Sequence, residues 1–596
     1  MQYEAISYTW GPPIFPETLR LGDVEMKITT SLFGALRRFR DCQEIVTLWA
    51  DAICINQSDR QEREQQVSIM ADVYSSAEHV LVWLGDAQPS DAMAFCMAEA
   101  MTARRAHLLG VPELQLSELD PLLPSLSKRA SCDCCQEPIS WGDDPVAHGI
   151  AAIVQLLQRP WFSRLWVVQE IRVSGSARLF CGSHSITQDT LGDAICQVDV
   201  ETEWDDLGGD ADQWTRLSDQ AMVTLQIGEP GLDSLVGTLC DSAMHGASEP
   251  GDRVFALRAV CMILDDERFL PDYEVPLSEL WKRVVVHHVT TESRRLAQPD
   301  MNIACPSLVL ALGGAENQSN EADRLSWVAD FARLSVKSRA KNQFYIRNCT
   351  NYDGQAPKNH AGGLRPFHAH YDAGSPELLQ TRGRVLSSIT KIIEGSRFPE
   401  PSGLLWKSHL LEAILPWCVS CWKLMSDLHG SRVPFLELRA LVSHSANTVN
   451  YTDDEELRDC ATELTDLLKG ILGDGIHDTE IESFTSYTVH SFLAADRKDI
   501  AADLALALAP LVIDQFEFLD TQRLLALSSD DTIAWVPDTA QIGDEICIFE
   551  GACFPFVIRD RVDESYRLIG DAYVHGVMHG EAWPECADDL QTIMLR

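Results

Sequence analysis

At 596 residues the chain is too long for one ordinary core, and roughly 150 residues per domain predicts at least three units. Its 45% hydrophobic and 23% charged content is that of a folded protein and excludes a disordered tail as the main component. Asp and Glu outnumber Lys and Arg by 89 to 48, and the resulting net charge of −41 repels phosphate backbones and anionic lipid faces, which argues against nucleic acid as a partner.

The first ten residues, MQYEAISYTW, have neither a basic nor an apolar leader region. No run approaches the roughly 18 apolar residues of a membrane span. The 18 cysteines lie mostly in apolar stretches such as ADAICI and LRAVCMILD, where a free thiol acts as a small buried hydrophobe, so a reduced cytoplasmic protein is expected. Residues 3–10 alternate apolar and polar side chains and stop on Gly11-Pro12-Pro13, predicting a strand. An amphipathic segment near 31–40 follows. EIVTLWADAICIN then reads as a strand buried on both faces. Ser58 and Gln61 form a capping-box pattern that opens a helix with Val67, Met70, Ala71 and Tyr74 on one side, and EHVLVWLG returns as a strand. Strand, helix, strand in this order predicts a parallel α/β sheet, with Asp51, Asn56 and Gln57 near a strand's carboxyl end, where ligands collect in such folds.

Residues near 100–148 read as an insertion. It contains Cys132, Cys134 and Cys135, with His148 beyond, but adjacent cysteines converge poorly on one tetrahedral ion and no second cysteine pair follows, so no metal site is expected. RPWFSRLWVVQEIRVSG (159–175) then places a Gln-Glu pair among aromatics. In a helix from about Ser163, Trp166, Gln169 and Glu170 fall at i, i+3 and i+4 on a polar face, while Leu165, Val168 and Ile171 point to a core. GSARLFCG is a further strand. Residues 191–430 are mainly helical with a β-rich segment near 343–392; 431–525 are helical; 526–596 alternate in short strands separated by Gly and Asp turns, as in a small antiparallel β-rich module. Neighbouring His287 and His288 diverge on an amphipathic helix and read as structural. The Gly beside both His575 and His579 weakens a helical metal pair there.

The blocks YEAISYTWG, LWADAICINQSDRQEREQQVSIMADVYSSAEHVLVWLG and RPWFSRLWVVQEI resemble, in order and spacing, those of the fungal heterokaryon-incompatibility (HET) domain. EPGDRVFALRAV, LPDYEVPLSELWKRVVVHHV and the C-terminal GDEICIFEGACFPFVIRD resemble later segments of long HET-domain proteins; Ala50 departs by standing where a larger apolar residue is usual. The resemblance implies a HET domain over 1–190, non-self recognition and regulated cell death, self-association through that domain and an unidentified protein partner.

The HET domain is itself similar to the TIR domain, which implies a flavodoxin-like parallel sheet. WFSRLWVVQEI resembles the TIR helix whose glutamate cleaves nicotinamide from NAD, and the matching residue is Glu170. NAD would then be substrate, with no cofactor required, and Glu170 would stabilise an oxocarbenium-like centre beside Trp166 or Trp10. The bland reading has Glu170 bonding the Gly11 loop. Asp51 and Asn56 serve a ligand or cap a helix; Arg164 holds a phosphate or pairs with a carboxylate; Gly11 shapes a turn or a ligand loop; Gln169 completes the candidate set. Trp10, Trp49, Trp83 and Trp161 read as core before they read as ligands, since aromatics dominate buried area. Two non-enzymatic or unrelated readings stay open: a self-associating interaction protein, and a fold recruited to a small-molecule reaction of secondary metabolism.

Overall fold

The computed structural model describes residues 2–107, 145–201, 211–225, 234–291, 307–316, 325–335, 369–392 and 523–596, apart from isolated positions. They fall into two units, Met1–Leu280 and Trp281–Arg596. The Cys132/Cys134/Cys135 group, most of 343–368, residues 431–522 of the helical segment expected over 431–525, and His575 and His579 lie outside the described residues; the last three residues of that segment, 523–525, are strand and not helix.

The first unit begins with β1 (Glu4–Tyr8), then a hairpin of β2 (Glu17–Leu21) and β3 (Val24–Ile28) that the sequence reading did not anticipate. Its turn is Gly22-Asp23, with Gly22 at φ +60°, a backbone region open to glycine without Cβ strain. Helix α1 (Thr30–Phe39) is capped by Thr29, whose hydroxyl accepts from Leu32 N. EIVTLWADAICIN is mostly not a strand. Only Leu48–Trp49 (β4) pairs with β1; the carboxylate of Asp51 caps the next amide, Ala52 N, and Asp51–Cys54 turns as the short helix α2. Helix α3 (Arg60–Ser76) starts one residue later than the capping-box pattern places it. Asp59 is its N-cap, accepting from Glu62 N, and the Glu62 carboxylate reaches back to Asn56 N rather than to the cap.

After β5 (Val80–Gly85) come α4 (Asp91–His107), α5 (Pro145–Leu157), a 3₁₀ turn at Pro160–Ser163 and α6 (Trp166–Arg172); β6 (Ala177–Cys181) and β7 (His184–Thr187) complete the sheet. Its order is β4-β1-β5-β6-β7. The first four strands are parallel, whereas β7 is antiparallel to β6 because a two-residue turn, Gly182-Ser183, folds the chain straight back.

The inner strands β1 and β5 are buried on both faces, which explains runs such as VLVWLG. Ala5, Val80, Val82 and Leu179 pack with Met70 and Tyr74 of α3, Phe95 of α4 and Ile150 and Ile153 of α5. Ile6, Tyr8, Leu81, Trp83 and Phe180 form the opposite core with Leu32 and Ala35 of α1 and Ile28 of the hairpin. The alternation in YEAISYTW is therefore between two cores and not between core and solvent; Ser7 is fully buried. Trp83 and Trp161 are core, and Trp49 packs partly buried against it.

In the second unit β8 (Ala369–Tyr371) pairs with the long β9 (Leu379–Ile392), followed by β10 (Arg523–Ser528), β11 (Ile533–Pro537), β12 (Glu545–Phe549), β13 (Phe556–Asp560), β14 (Tyr566–Asp571), β15 (Tyr573–Val574) and β16 (Gln591–Leu595). Pairing runs from β9 through β12, β13, β14 and β16 back to β9, so the strands close a ring; β14–β16 is its parallel pair. Closure places 379–392 and 523–596 in one sheet. Gly383 is paired on both edges, to Phe549 and to Gln591, and a Cβ there would sit 2.3 Å from Ile548 O. Gly383→Ala is expected to destabilise this unit by at least about 2 kcal/mol, since a backbone carbonyl cannot swing away as a side chain would, read as a lower urea midpoint of the full chain. No helix among the described residues is long and apolar enough to cross a membrane.

Candidate functional site

Residues just beyond the carboxyl ends of β1 and β4 converge on a cavity of about 480 Å³. Trp10 follows β1, Asp51 follows β4, and Arg164, Trp166 and Glu170 come from the segment that RPWFSRLWVVQEI builds. Pro160 opens the 3₁₀ turn, Arg164 is extended, and α6 begins at Trp166. Trp166 and Glu170 thus stand one helical turn apart, as their spacing requires. The expected polar face is absent, however: Val167 through Arg172 are all buried, and Gln169 and Glu170 are each only 2% exposed. This helix lies inside the unit, so its carboxylate is surrounded by protein.

Glu170 is held by the sheet and not by the Gly11 loop. Trp161 Nε1 donates to Ser7 Oγ at 2.8 Å, and Ser7 Oγ donates to Glu170 Oε2 at 2.5 Å. Because the indole only donates, the serine accepts from it and turns its own proton toward the carboxylate. Tyr74, whose hydroxyl donates to Ile6 O at 3.2 Å, lies beside it. Burial raises the Glu170 pKa to about 7; Arg164 and the Ser7 hydroxyl pull it down, Asp51 pushes it up and Tyr74 pulls it down. The carboxyl therefore changes charge near neutrality. Burial, with the nearby Asp51 and Glu170 carboxylates, also lifts the Tyr8 phenol far above its ordinary range, and its oxygen has no hydrogen-bond partner of good geometry.

Asp51 Oδ2 accepts from Trp10 Nε1 at 2.9 Å, its Oδ1 accepts from Ala52 N at 2.7 Å, and Gln57 Nε2 donates to its carbonyl at 3.2 Å. Arg164 donates to Tyr8 O at the end of β1. Gln57 lines the cavity. The remaining candidates lie off it. Gly11 (φ +71°) shapes the turn after β1, Asn56 is spent on the Ser58 amide and hydroxyl, and the buried Gln169 amide nitrogen lacks a hydrogen-bond partner. Gly85 (φ +113°) ends β5.

Sequence reasoning missed Ser7, Tyr74, Arg63, Asp252 and Tyr273. The signal for Ser7 was available, because a hydroxyl on a strand buried on both faces must find a partner. Asp252 accepts from Trp166 Nε1 at 3.1 Å and from Tyr273 Oη at 2.7 Å, yet it lies 86 residues beyond Trp166 and nothing local aims it there. His287 and His288 are both buried.

Residues 3–170 match the family model of the heterokaryon incompatibility protein (HET), a match that ends on Glu170, and residues 517–588 match that of the Het-6 beta-barrel domain. Strands β9 and β16, which close the ring, lie outside the second match. A curated relative, heterokaryon incompatibility protein 6, OR allele, of Neurospora crassa, is 27% identical over 209 residues, covering 31% of this chain and 29% of the relative. The chain thus aligns with less than a third of that relative's length. No solved structure matches the chain.

Proposed function

We propose, for a chain that is a HET-domain protein carrying a Het-6 β-barrel, that its N-terminal cleft is a catalytic centre in which Glu170 cleaves the nicotinamide–ribose bond of NAD as a signal in incompatibility and cell death. The observation that carries the reading is Glu170 itself: a buried carboxyl with a pKa of about 7 on the wall of a 480 Å³ cavity. Burying an ionisable group costs stability, and active sites are where such groups concentrate. A TIR-like fold is supported by the order of the parallel strands, second-first-third-fourth in chain order, which is the flavodoxin-like arrangement.

In the proposed step the bond from ribose C1′ to the pyridinium nitrogen breaks, and its electron pair leaves with nicotinamide. The ribosyl centre becomes oxocarbenium-like, and the Glu170 carboxylate stabilises that charge. Water adds to C1′ and gives up a proton to Glu170, whose pKa suits a base at neutral pH. The ionised form is the active one.

Nicotinamide release by the full chain is therefore expected to rise with pH through an apparent pKa near 7 and, if the cleft is completed by assembly, to rise faster than linearly with protein concentration. Glu170→Gln should lower it by about 10²- to 10⁴-fold. Equal release by the two proteins, or none from the wild type once assembly is confirmed, would defeat the proposal. A second reading, an interaction protein acting by self-association, draws on the exposed apolar side chains Ile14, Phe15, Leu21 and Val24 around the β2–β3 hairpin. It expects cell death on overexpression to survive Glu170→Gln.

A further inference from the structure

One wall of the cleft comes from beyond the HET-matched residues. Gly246–Glu249, Asp252 and Tyr273 line the same cavity as Glu170. The loop that carries the first of them is fastened to the site segment on both sides of Arg164: Gly246 N donates to Ser163 O at 2.7 Å and Leu165 N donates to Gly246 O at 3.0 Å. Past this point Asp252 opens a short helix, Asp252–Phe255, and is 6% exposed.

Both oxygens of Asp252 are used. Oδ2 accepts from Trp166 Nε1 and Oδ1 from Tyr273 Oη. Tyr273 is itself fixed, with its amide donating to Glu64 Oε1 at 3.2 Å and the Arg63 guanidinium 4.7 Å over its ring. An indole has one N–H, and bonding it to a buried acceptor removes the ring's freedom to flip about its terminal torsion. The other indole on the cavity, Trp10, is tied in the same way to Asp51. Each of these two rings thus has its polar edge anchored on a carboxylate and belongs to the lining of the space beside Glu170.

We infer that Asp252, braced by Tyr273, is a positioning residue that sets the Trp166 ring as a fixed wall of the cleft, so that the working site extends from the HET-matched segment through residue 273. The inference rests on reading the cleft as a substrate site. An alternative role, a staple that merely holds the 246–252 loop down, predicts lost stability without a change at Trp166 while the protein stays folded.

The test uses the full chain labelled with 5-fluorotryptophan, the Trp166 resonance being assigned by its loss in Trp166→Phe. Asp252→Asn keeps the shape but presents an amide where two donors converge, and Tyr273→Phe removes only the brace. In Asp252→Asn the Trp166 resonance is expected to shift and to gain an isotope shift between H2O and D2O. The KM for NAD should rise at least about tenfold, the size of one lost interaction of about 1.4 kcal/mol, with kcat changed far less. Tyr273→Phe should move both readouts in the same direction by less. An unmoved Trp166 resonance in folded Asp252→Asn overturns the inference whatever the kinetics show. A wild type that releases no nicotinamide defeats the NAD reading alone, since the fluorine signal still decides the role of Asp252.

Discussion

Glu170→Gln is expected to leave stability nearly unchanged at pH 4.5 and to make the N-terminal unit more stable than the wild type at pH 8. The Glu170 pKa rises from 4.5 to about 7 on folding, with burial as the first cause. Below pH 4.5 the carboxyl is protonated in both folded and unfolded chains, so the contribution of its raised pKa is fully present. Between pH 4.5 and 7 the unfolded carboxyl ionises freely while the folded one keeps its proton, and stability falls. Above pH 7 both are ionised and no more is lost. A shift of this size corresponds to a loss on the order of 3 kcal/mol across the window. Glutamine has nothing to ionise, and its Oε1 can still accept from the Ser7 hydroxyl. The two proteins should therefore diverge as pH rises, by on the order of 3 kcal/mol in urea unfolding at pH 8 relative to pH 4.5. Parallel pH dependences would mean that Glu170 ionises normally, and the catalytic proposal would lose its carrying observation. Glutamine is preferred to alanine because Glu170 is only 2% exposed, and truncation would add a cavity cost unrelated to charge.

What the sequence disclosed about this site follows from the range of the forces involved. The i, i+4 relation of Trp166 and Glu170 is a property of one helical turn, and it appears in the structure. Which way that turn faces is not local. A Gln-Glu pair in a helix reads as a solvated face unless another element covers it, and here β1 supplies Ser7 from 163 residues away. The same limit hid Asp252. Its partners, Trp166 and Tyr273, lie 86 and 21 residues away, and they meet where the 246 loop docks on Arg164 and Tyr273 is held by Glu64 and Arg63. Asp51 and Gln57 were legible because they follow a strand whose carboxyl end opens on the cavity, which is a rule of the sheet and not of the neighbours in sequence, whereas Trp10, read first as core, lines the same cavity.

The misread second strand has a local cause. EIVTLWADAICIN is apolar enough to pass for a buried strand, and a short apolar run does not by itself separate strand from helix. Asp51 ends the pairing: its carboxylate takes the Ala52 amide, and Ile53 N and Cys54 N turn to Ala50 O. That turn carries Asp51 to the Trp10 indole. In the second unit, β-rich character was visible in the turns after residue 526, but ring closure was not. It depends on one 14-residue strand, β9, pairing with β16 over its start and with β12 along its middle, while β8 and β10 pair with its two ends, and no alternation pattern encodes four partners.

Arg159→Met is expected to cost about 3–5 kcal/mol, more than Asp91→Ala, although the two residues form one pair. Arg159 Nη2 donates to Asp91 Oδ2 at 2.5 Å, and the side chains are 8% and 2% exposed. The guanidinium has other acceptors, Leu84 O at 2.8 Å and Asp86 O at 3.1 Å, so loss of Asp91 leaves it partly satisfied. The carboxylate has less in reserve: with the arginine gone, Oδ2 retains the Gln88 amide at 2.7 Å. A buried anion with its cation removed is the costlier half to leave behind. The double variant should be less destabilised than the sum of the singles by about 0.5–3 kcal/mol, because removing both groups leaves no orphaned charge. Additive costs in a double-mutant cycle would show that the ion pair does not couple the two positions. The consequence reaches the cleft through the chain, since Arg159 precedes the 3₁₀ turn that places Trp161, and Trp161 donates to the Ser7 hydroxyl that in turn holds Glu170. Each single variant that remains folded is therefore expected to loosen Glu170 as well, read as a smaller gain in stability when Glu170→Gln is added at pH 8.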